Sequence, residues 1–528
     1  METIDRIFNA SRSCAAPEAW DKLKLETCVS SGGPEDFPKV LEKYAAFLGL
    51  PDFLPELARL EWTINQAASP EATYRLPVSR LAVNPTLCLL RFSWKHLPEF
   101  LGSKDRGSCR HPEKGDESVL LWRHPVSGEL MVCSAFDEDL LVLKIAVEDI
   151  EPVKAAAEGR VPVHVIDAAV ERGIAKGLLL APASKIRRNR SLFPSNAEIE
   201  ESNLSASVFT LQWHITQACD LHCRHCYDRS HRDPIELKQA MALLDDFYGF
   251  CRDHNVRGQI SFTGGNPFLH PHFPALYRAA AERGFGTAIM GNPVPARRLE
   301  ELAAIRHPVF FQVSLEGLRE HNDWIRGPGH FDRSLGFLDL LREFGFYSMV
   351  MLTLTKHNMA QVLPLAGILE DRADLFAFNR LSLVGEGARL ELPSKDEFTL
   401  FLHAYADAAS DNPALGLKDN LINVVLYRKG LQLFGGCTGY GCGAAFNFIT
   451  VLPDGEAHAC RKFPSPIGNA VRSGIAEVYS SEAARSYRAG CRACRSCAIR
   501  HSCGGCLASA YSLGLDPLTQ KDPYCFID

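Results

Sequence analysis

The chain is 528 residues long, 46% apolar, with a formal net charge of −6. That length argues for two to four domains with sizeable cores, and the near balance of acidic and basic residues gives no electrostatic case for a nucleic-acid partner. The N-terminal stretch METIDRIFNASRSCAAPEAW lacks the basic-then-apolar pattern of a secretory signal, and the longest apolar runs, such as GLLLAPA at 177–183, are too short to span a bilayer. A cytoplasmic protein with no membrane partner is expected.

Residues 1–190 read as a mainly α accessory domain. PDFLPELARLEWTINQAAS predicts an amphipathic helix, with Leu57, Leu60 and Ile64 at helical spacing. SVLLWRHPVSGELMVCSAF predicts a β-hairpin turning at Pro125 to Gly128, and DEDLLVLKIAVEDI and VIDAAVERGIAKGLLL predict two helices after it. The polar run IRRNRSLFPSNAEIEESNLS, at 186–205, reads as a linker, drawn at 191–205.

From 206 to 395 strands and helices alternate. Candidate strands are FTLQWHIT, GQISFTGG, GTAIMG, VFFQVSL, YSMVMLTLT and FNRLSLVG, and helices such as IELKQAMALLDDFYGFCRDH and ARRLEELAAI lie between them. Six such units predict an α/β fold, a parallel sheet curved into a partial (β/α)6 barrel. Residues 396–436 read as a helical bridge. The tail from 437 is rich in Gly, Cys and turn residues, with little room for a hydrophobic core, so metal is expected to organise it.

Of the 18 cysteines, Cys14, Cys28, Cys88, Cys109, Cys133 and Cys251 stand singly, while the rest are clustered. Without an export signal, clustered CxxC spacing predicts metal ligation rather than disulfides. Cys251, inside an apolar helix, is expected in a core. ITQACDLHCRHCYDRS places Cys219, Cys223 and Cys226 in a C-x-x-x-C-x-x-C loop directly after the first barrel strand. In parallel α/β barrels the loops after the strands build the site. Three thiolates can hold three irons of a four-iron cluster and leave the fourth open to a non-protein ligand. A zinc ion completed by His222 or His225 is the alternative. In the tail, Cys437, Cys442, Cys460, Cys494, Cys497, Cys503, Cys506 and Cys525 supply eight thiolates, enough for two four-cysteine clusters or two zinc ribbons, with Cys491 left over.

The loop spacing, the strand before it and Tyr227 after it resemble the radical S-adenosylmethionine (radical SAM) superfamily. SFTGGNP resembles that family's Gly-Gly-Glu-Pro turn, which implies that Gly264, Gly265 and Asn266 approach the methionyl amine, although Asn266 lacks the usual charge. QVSLEG resembles Ser-Leu-Asp-Gly, which implies ribose contacts for Ser314 and Glu316. The resemblance also puts His225 near the adenine and lets Arg326 pair with the methionyl carboxylate, a solvated surface arginine being the other reading. The tail resembles the SPASM domain of radical SAM enzymes. That implies one auxiliary cluster on Cys437, Cys442, Cys460 and Cys506 and another on Cys494, Cys497, Cys503 and Cys525. Cys503-Gly504-Gly505-Cys506 is one residue shorter than the family pattern. Cys491 is an unused thiol or a substitute ligand.

The resemblance therefore implies three [4Fe-4S] clusters, S-adenosyl-L-methionine, a reductant such as flavodoxin or ferredoxin, and hydrogen abstraction from a ribosomally made precursor peptide. Arg461 stands where the sulfatase-maturing branch carries an aspartate base. TGGNP, FNRLSLVGEGA and CRKFPSPIGN resemble the thio(seleno)oxazole, or selenobiotic, peptide maturases. LPELARLEW resembles the N-terminal domain of HvfC-like partner proteins, and the hairpin-plus-helices unit resembles a winged helix to which a leader peptide adds as a strand. The remaining readings are a SPASM enzyme acting on a small metabolite or on a protein such as a sulfatase, and a non-catalytic metal-binding scaffold.

Overall fold

The computed structural model describes residues 2–29, 32–68, 77–103, 111–195 and 198–527; Cys109 lies outside them. It divides into two compact units, Met1–Ala183 and Ser184–Asp528.

In the first unit, helices Pro17–Val29, Phe37–Tyr44 and Leu54–Ala67 bury Trp20, Leu23, Phe37, Leu41, Leu57 and Leu60 in one core, with Ile64 packed at its edge. The expected hairpin forms from Glu113–Arg123 and Leu130–Ser134, with Leu120 opposite Cys133. A third strand, Cys88–Lys95, pairs antiparallel with Glu113–Arg123 and makes a three-stranded sheet that the expected elements do not include. Its residues alternate in burial throughout, with Leu90, Phe92 and Trp94 turned inward and Leu89, Arg91, Ser93 and Lys95 exposed, so a period-two signal for it was present in the sequence. Helices Asp137–Glu148 and Val163–Ala175 contribute Val142, Leu143 and Ala169 to a core shared with Leu120 and Trp122.

The second unit is built on one nine-stranded sheet. Its strands are β1 (Val208–Thr216), β2 (Arg257–Gly264), β3 (Gly286–Met290), β4 (Phe310–Ser314), β5 (Ser348–Leu354), β6 (Leu375–Arg380), β7 (Phe448–Val451), β8 (Glu456–His458) and β9 (Pro466–Asn469). Their spatial order is β6-β5-β4-β3-β2-β1-β7-β8-β9. Strands β1 to β6 are all parallel, as the six strand–helix units predict. The intervening helices include α1 (Leu237–Asp253), α2 (Phe273–Glu282), α3 (Ala296–Ala303), α4 (Arg319–Arg326) and α5 (His330–Glu343).

Strand β1 shows why the sheet curves around a space. Phe209, Leu211, Trp213 and Ile215 are buried against the helix layer, which supplies Leu243, Leu244, Phe247 and Phe250 from α1. Each such side chain contributes roughly 2–3 kcal/mol. The alternate residues Thr210, Gln212, His214 and Thr216 are polar, and across the sheet they meet Ser261 and Thr263 of β2 and Thr450 of β7 in register. A parallel sheet packed on both faces reads as continuous apolar runs; alternation here leaves a polar inner face.

Two expectations change. The sixth strand is Leu375–Arg380, earlier than FNRLSLVG suggests, because the segment after Arg380 leaves the sheet and Glu386 donates its N–H to the Cys226 carbonyl (2.8 Å). The tail is also not core-poor. β7 pairs parallel with β1, and Phe446, Ile449, Val451, Ile467 and Val478 join the same core as the barrel. At the two ends of the polar run, Ala206 donates to the Ile186 carbonyl (2.9 Å) and Arg188 to that of Leu204 (2.9 Å), and the Arg188 guanidinium stacks 4.4 Å from the Phe446 ring. No helix among the described residues is long and apolar enough to cross a membrane.

Candidate active site: a three-thiol loop and two further thiol groups

Cys219, Cys223 and Cys226 lie in the loop that leaves the C-terminal end of β1, with Cys219 exposed and the other two half-buried. The loop is fixed from several sides. Arg224 donates its N–H to the Ile325 carbonyl (3.0 Å) and its Nε to the Trp324 carbonyl (2.9 Å), and its guanidinium covers the Trp324 ring at 4.8 Å. Gly265 donates to the Thr216 carbonyl (2.8 Å), and Asn266 to the Ala218 carbonyl (2.7 Å). A Cβ on Gly264 or Gly265 would lie 2.1 Å from the Thr216 or Ala218 carbonyl oxygen, so both positions demand glycine for a close backbone approach.

A cleft of about 480 Å3 opens beside the loop, lined by Asp220, His222, Arg224, Trp324, Arg326 and Arg333 among others. Behind the lining residue Arg326, Glu316 is wholly buried. It binds His225 Nε2 (3.0 Å), Arg326 Nη2 (2.6 Å) and the Thr353 N–H (2.7 Å). Burial alone would raise this carboxyl's pKa, but the His225 and Arg326 charges and the Thr353 N–H outweigh it and hold the group far below the usual range. Arg326 also directs Nη1 toward Cys223 Sγ (3.8 Å). The sequence reading gives Glu316 to a ribose and Arg326 to a carboxylate as separate contacts. The structure commits them to each other, because a buried ion needs its partner within reach. Ser314, at the end of β4, is half-buried beside Met351 in register.

The other thiols form two groups. Cys437 and Cys506 lie near enough to Cys442 to disfavour its ionisation, and Cys442 and Cys506 do the same to Cys460. Cys497 and Cys525 act likewise on Cys494 and on Cys503, with Cys491 also against Cys494. Burial, the larger effect, pushes Cys442 up to about 11 and Cys460 and Cys494 up to about 12. Packed, buried thiols of this kind become thiolates only with a bound cation to compensate them.

Tetrahedral zinc, with Zn–S near 2.3 Å, draws its thiolates to within about 4 Å of one another, whereas a four-iron cluster seats each thiolate on a separate iron. Among the described residues the only trio of His, Cys, Asp or Glu ligand atoms all within 4.8 Å is His96, Glu99 and Glu117, in the first unit. Each histidine offered as a fourth zinc ligand has one ring nitrogen engaged, His225 Nε2 by Glu316 and His222 Nδ1 by Arg229, while His225 Nδ1 is buried without a hydrogen-bond partner among the described residues.

Several polar partners escape a linear reading. Asp228 accepts Gln217 Nε2 (2.8 Å) and pairs with Arg461, whose guanidinium covers the Tyr227 ring at 4.8 Å. Arg461 follows Cys460, so this pair ties the three-thiol loop to the first further thiol group. Asn292, just after β3, donates Nδ2 to Asp220 Oδ1 (2.6 Å) and approaches Cys219 Sγ (3.7 Å). Only Asp220 had a local signal, as the sole acidic residue between Cys219 and Cys226.

Residues 213–367 match the radical SAM superfamily, and residues 442–506 match an iron–sulfur cluster-binding domain, SPASM. The chain is 30% identical over 352 residues to the mycofactocin maturase MftC of Mycolicibacterium smegmatis, covering 63% of this chain and 86% of that protein. It is 25% identical over 350 residues to the AdoMet-dependent heme synthase of Nitratidesulfovibrio vulgaris, covering 60% of this chain and 91% of the relative. Among solved structures, Streptococcus suis SuiB bound to its precursor peptide SuiA shares the fold, with a TM-score of 0.51 and 17% identity over 78% of this chain and 96% of that one. The chain thus belongs to the SPASM-bearing branch of the radical SAM superfamily, enzymes that work with iron–sulfur clusters and S-adenosylmethionine.

Proposed function

We propose that this enzyme installs a post-translational modification on a ribosomally made precursor peptide, with one S-adenosylmethionine-binding [4Fe-4S] cluster and two auxiliary ones. What carries the reading is the three-thiol loop, opening onto the 480 Å3 cleft at the mouth of a polar barrel. The maturase from M. smegmatis and the peptide-bound state of SuiB support a peptide substrate. A small-metabolite substrate, which the heme synthase relative favours, gives no use to the separate first unit.

Cys219, Cys223 and Cys226 would hold the first cluster. Cys437, Cys442, Cys460 and Cys506 would hold one auxiliary cluster, and Cys494, Cys497, Cys503 and Cys525 the other, with Cys491 in reserve. Loaded with cluster and cofactor and given one electron by a carrier of the flavodoxin or ferredoxin class, the site would supply reductive cleavage of the sulfonium's S–C5′ bond to methionine and a 5′-deoxyadenosyl radical able to take a hydrogen atom from the substrate. The chain's own residues position and shield. Gly264, Gly265 and Asn266 would hold the methionyl end and Ser314 the nucleoside, while His225 is held in place by Glu316. Arg326 places an N–H toward a cluster thiolate, and the polar inner face of β1 and β2 receives the reacting segment, a positioning role. In the first unit, edge strand Leu130–Ser134 is flanked by exposed Met131, Phe136 and Leu141, a surface suited to a leader peptide added as a strand.

The test is co-expression with a short peptide encoded beside the enzyme, read by mass spectrometry, with iron analysis of the purified protein. The reading expects a mass change that needs Cys219, Cys223 and Cys226, and about twelve irons per chain. An unmodified peptide, from an enzyme that still cleaves S-adenosylmethionine, would contradict it.

A further inference from the structure

The turn after β2 carries Asn266 where the resemblance expects a glutamate, so the negative charge expected near the methionyl amine is missing from that position. Asn266 is 3% exposed, and its amide is directed: Oδ1 accepts the Phe268 N–H (3.3 Å), and Nδ2 donates to Asp220 Oδ1 (3.0 Å). Asn292 donates to the same oxygen at 2.6 Å. Two amides from two different strand ends therefore orient one carboxylate, which sits immediately after Cys219 and lines the cleft. Among the described residues no cation pairs with Asp220, and Oδ2 accepts no hydrogen bond. This arrangement differs from the other carboxylates around the loop, since Glu316 and Asp228 are both neutralised by arginines.

An exposed, oriented and unpaired carboxylate in the three-thiol loop is suited to an ammonium group. We infer that Asp220 supplies the anionic contact for the α-ammonium of S-adenosylmethionine, taking over the charge absent at position 266, with Asn266 and Asn292 as positioning residues. This rests on the proposed role of the three-thiol loop. The attraction to an ammonium group depends on the carboxylate's full charge, so removing the charge while keeping the shape is the decisive change.

The experiment uses the full chain, reconstituted anaerobically, with iron content measured for every variant. S-Adenosylmethionine binding is read from the change it makes in the electron paramagnetic resonance signal of the reduced first cluster. Asp220→Asn is expected to weaken binding at least tenfold at unchanged iron content, and the exchanged pair D220N/N266E to recover most of that loss. An analogue lacking the α-amino group is expected to bind wild type and Asp220→Asn equally. Wild-type affinity in Asp220→Asn, or no recovery in the exchanged pair, overturns the assignment. So does loss of iron in Asp220→Asn, which would make the residue a support of the loop. A wild-type signal indifferent to the cofactor would instead bring down the reading of the loop itself, and this inference with it.

Discussion

Gly265 shows how tightly the candidate site is specified at the level of single atoms. Its absent Cβ is what allows the turn after β2 to rest on the Ala218 carbonyl, one residue before the first loop cysteine. A methyl group there meets backbone rather than a flexible side-chain end, so the loop has to give way. Gly265→Ala is expected to lose the first cluster selectively, with iron falling by about four per chain and the auxiliary signals kept. Unchanged iron content would show that the loop tolerates the displacement. The glycine pair was legible in the sequence as a motif, but its nearest reason was not, because the contact is with the chain's own carbonyls. Glu316 and Arg326 teach the same lesson. Each could be picked from its motif, while their mutual pairing, ten residues apart and across a turn, follows from burial that only the folded chain reveals.

Among elements, the junction of β6 with the tail has the largest electrostatic stake. Arg380, the last residue of β6, is buried between Asp419 (Nε, 2.7 Å) and Asp522 (Nη2, 2.6 Å), with the Phe398 and Tyr524 rings at 5.4 and 5.7 Å. Asp522 in turn accepts the N–H groups of Cys506 (3.0 Å), a candidate ligand of one auxiliary group, and of Tyr524 (3.1 Å), which precedes Cys525 of the other. Arg380→Met leaves two buried carboxylates without their cation, a change that costs about 3–5 kcal/mol. Chemical denaturation is expected to show that loss together with release of auxiliary iron; a variant of normal stability and full iron content would refute the anchoring role. The parallel strands of the barrel were readable as short apolar runs recurring between helical stretches. Strands β7 to β9 were not, since segments of three or four residues between turn signals carry too little periodicity, and β7 finds its partner β1 about 240 residues earlier in the chain.

At the scale of the whole molecule, the second unit is one continuous sheet with thiols at its C-terminal mouth and along its extension. The Asp228–Arg461 and Arg380–Asp522 pairs bind the cysteine-rich tail to the barrel, so cluster assembly and folding of this unit are coupled. Family and broad chemistry were legible from cysteine spacing, because ligation by thiolates requires those residues at those intervals. The identity of the substrate was not, since the inner face that would meet it is assembled from single residues on many strands. The most direct test of the account is chromatographic detection of 5′-deoxyadenosine after the anaerobically reconstituted enzyme meets S-adenosylmethionine and dithionite. The account predicts steady formation by the wild type and none by the variant with Cys219, Cys223 and Cys226 changed to alanine. Equal yields from the two proteins, or none from either, would contradict it.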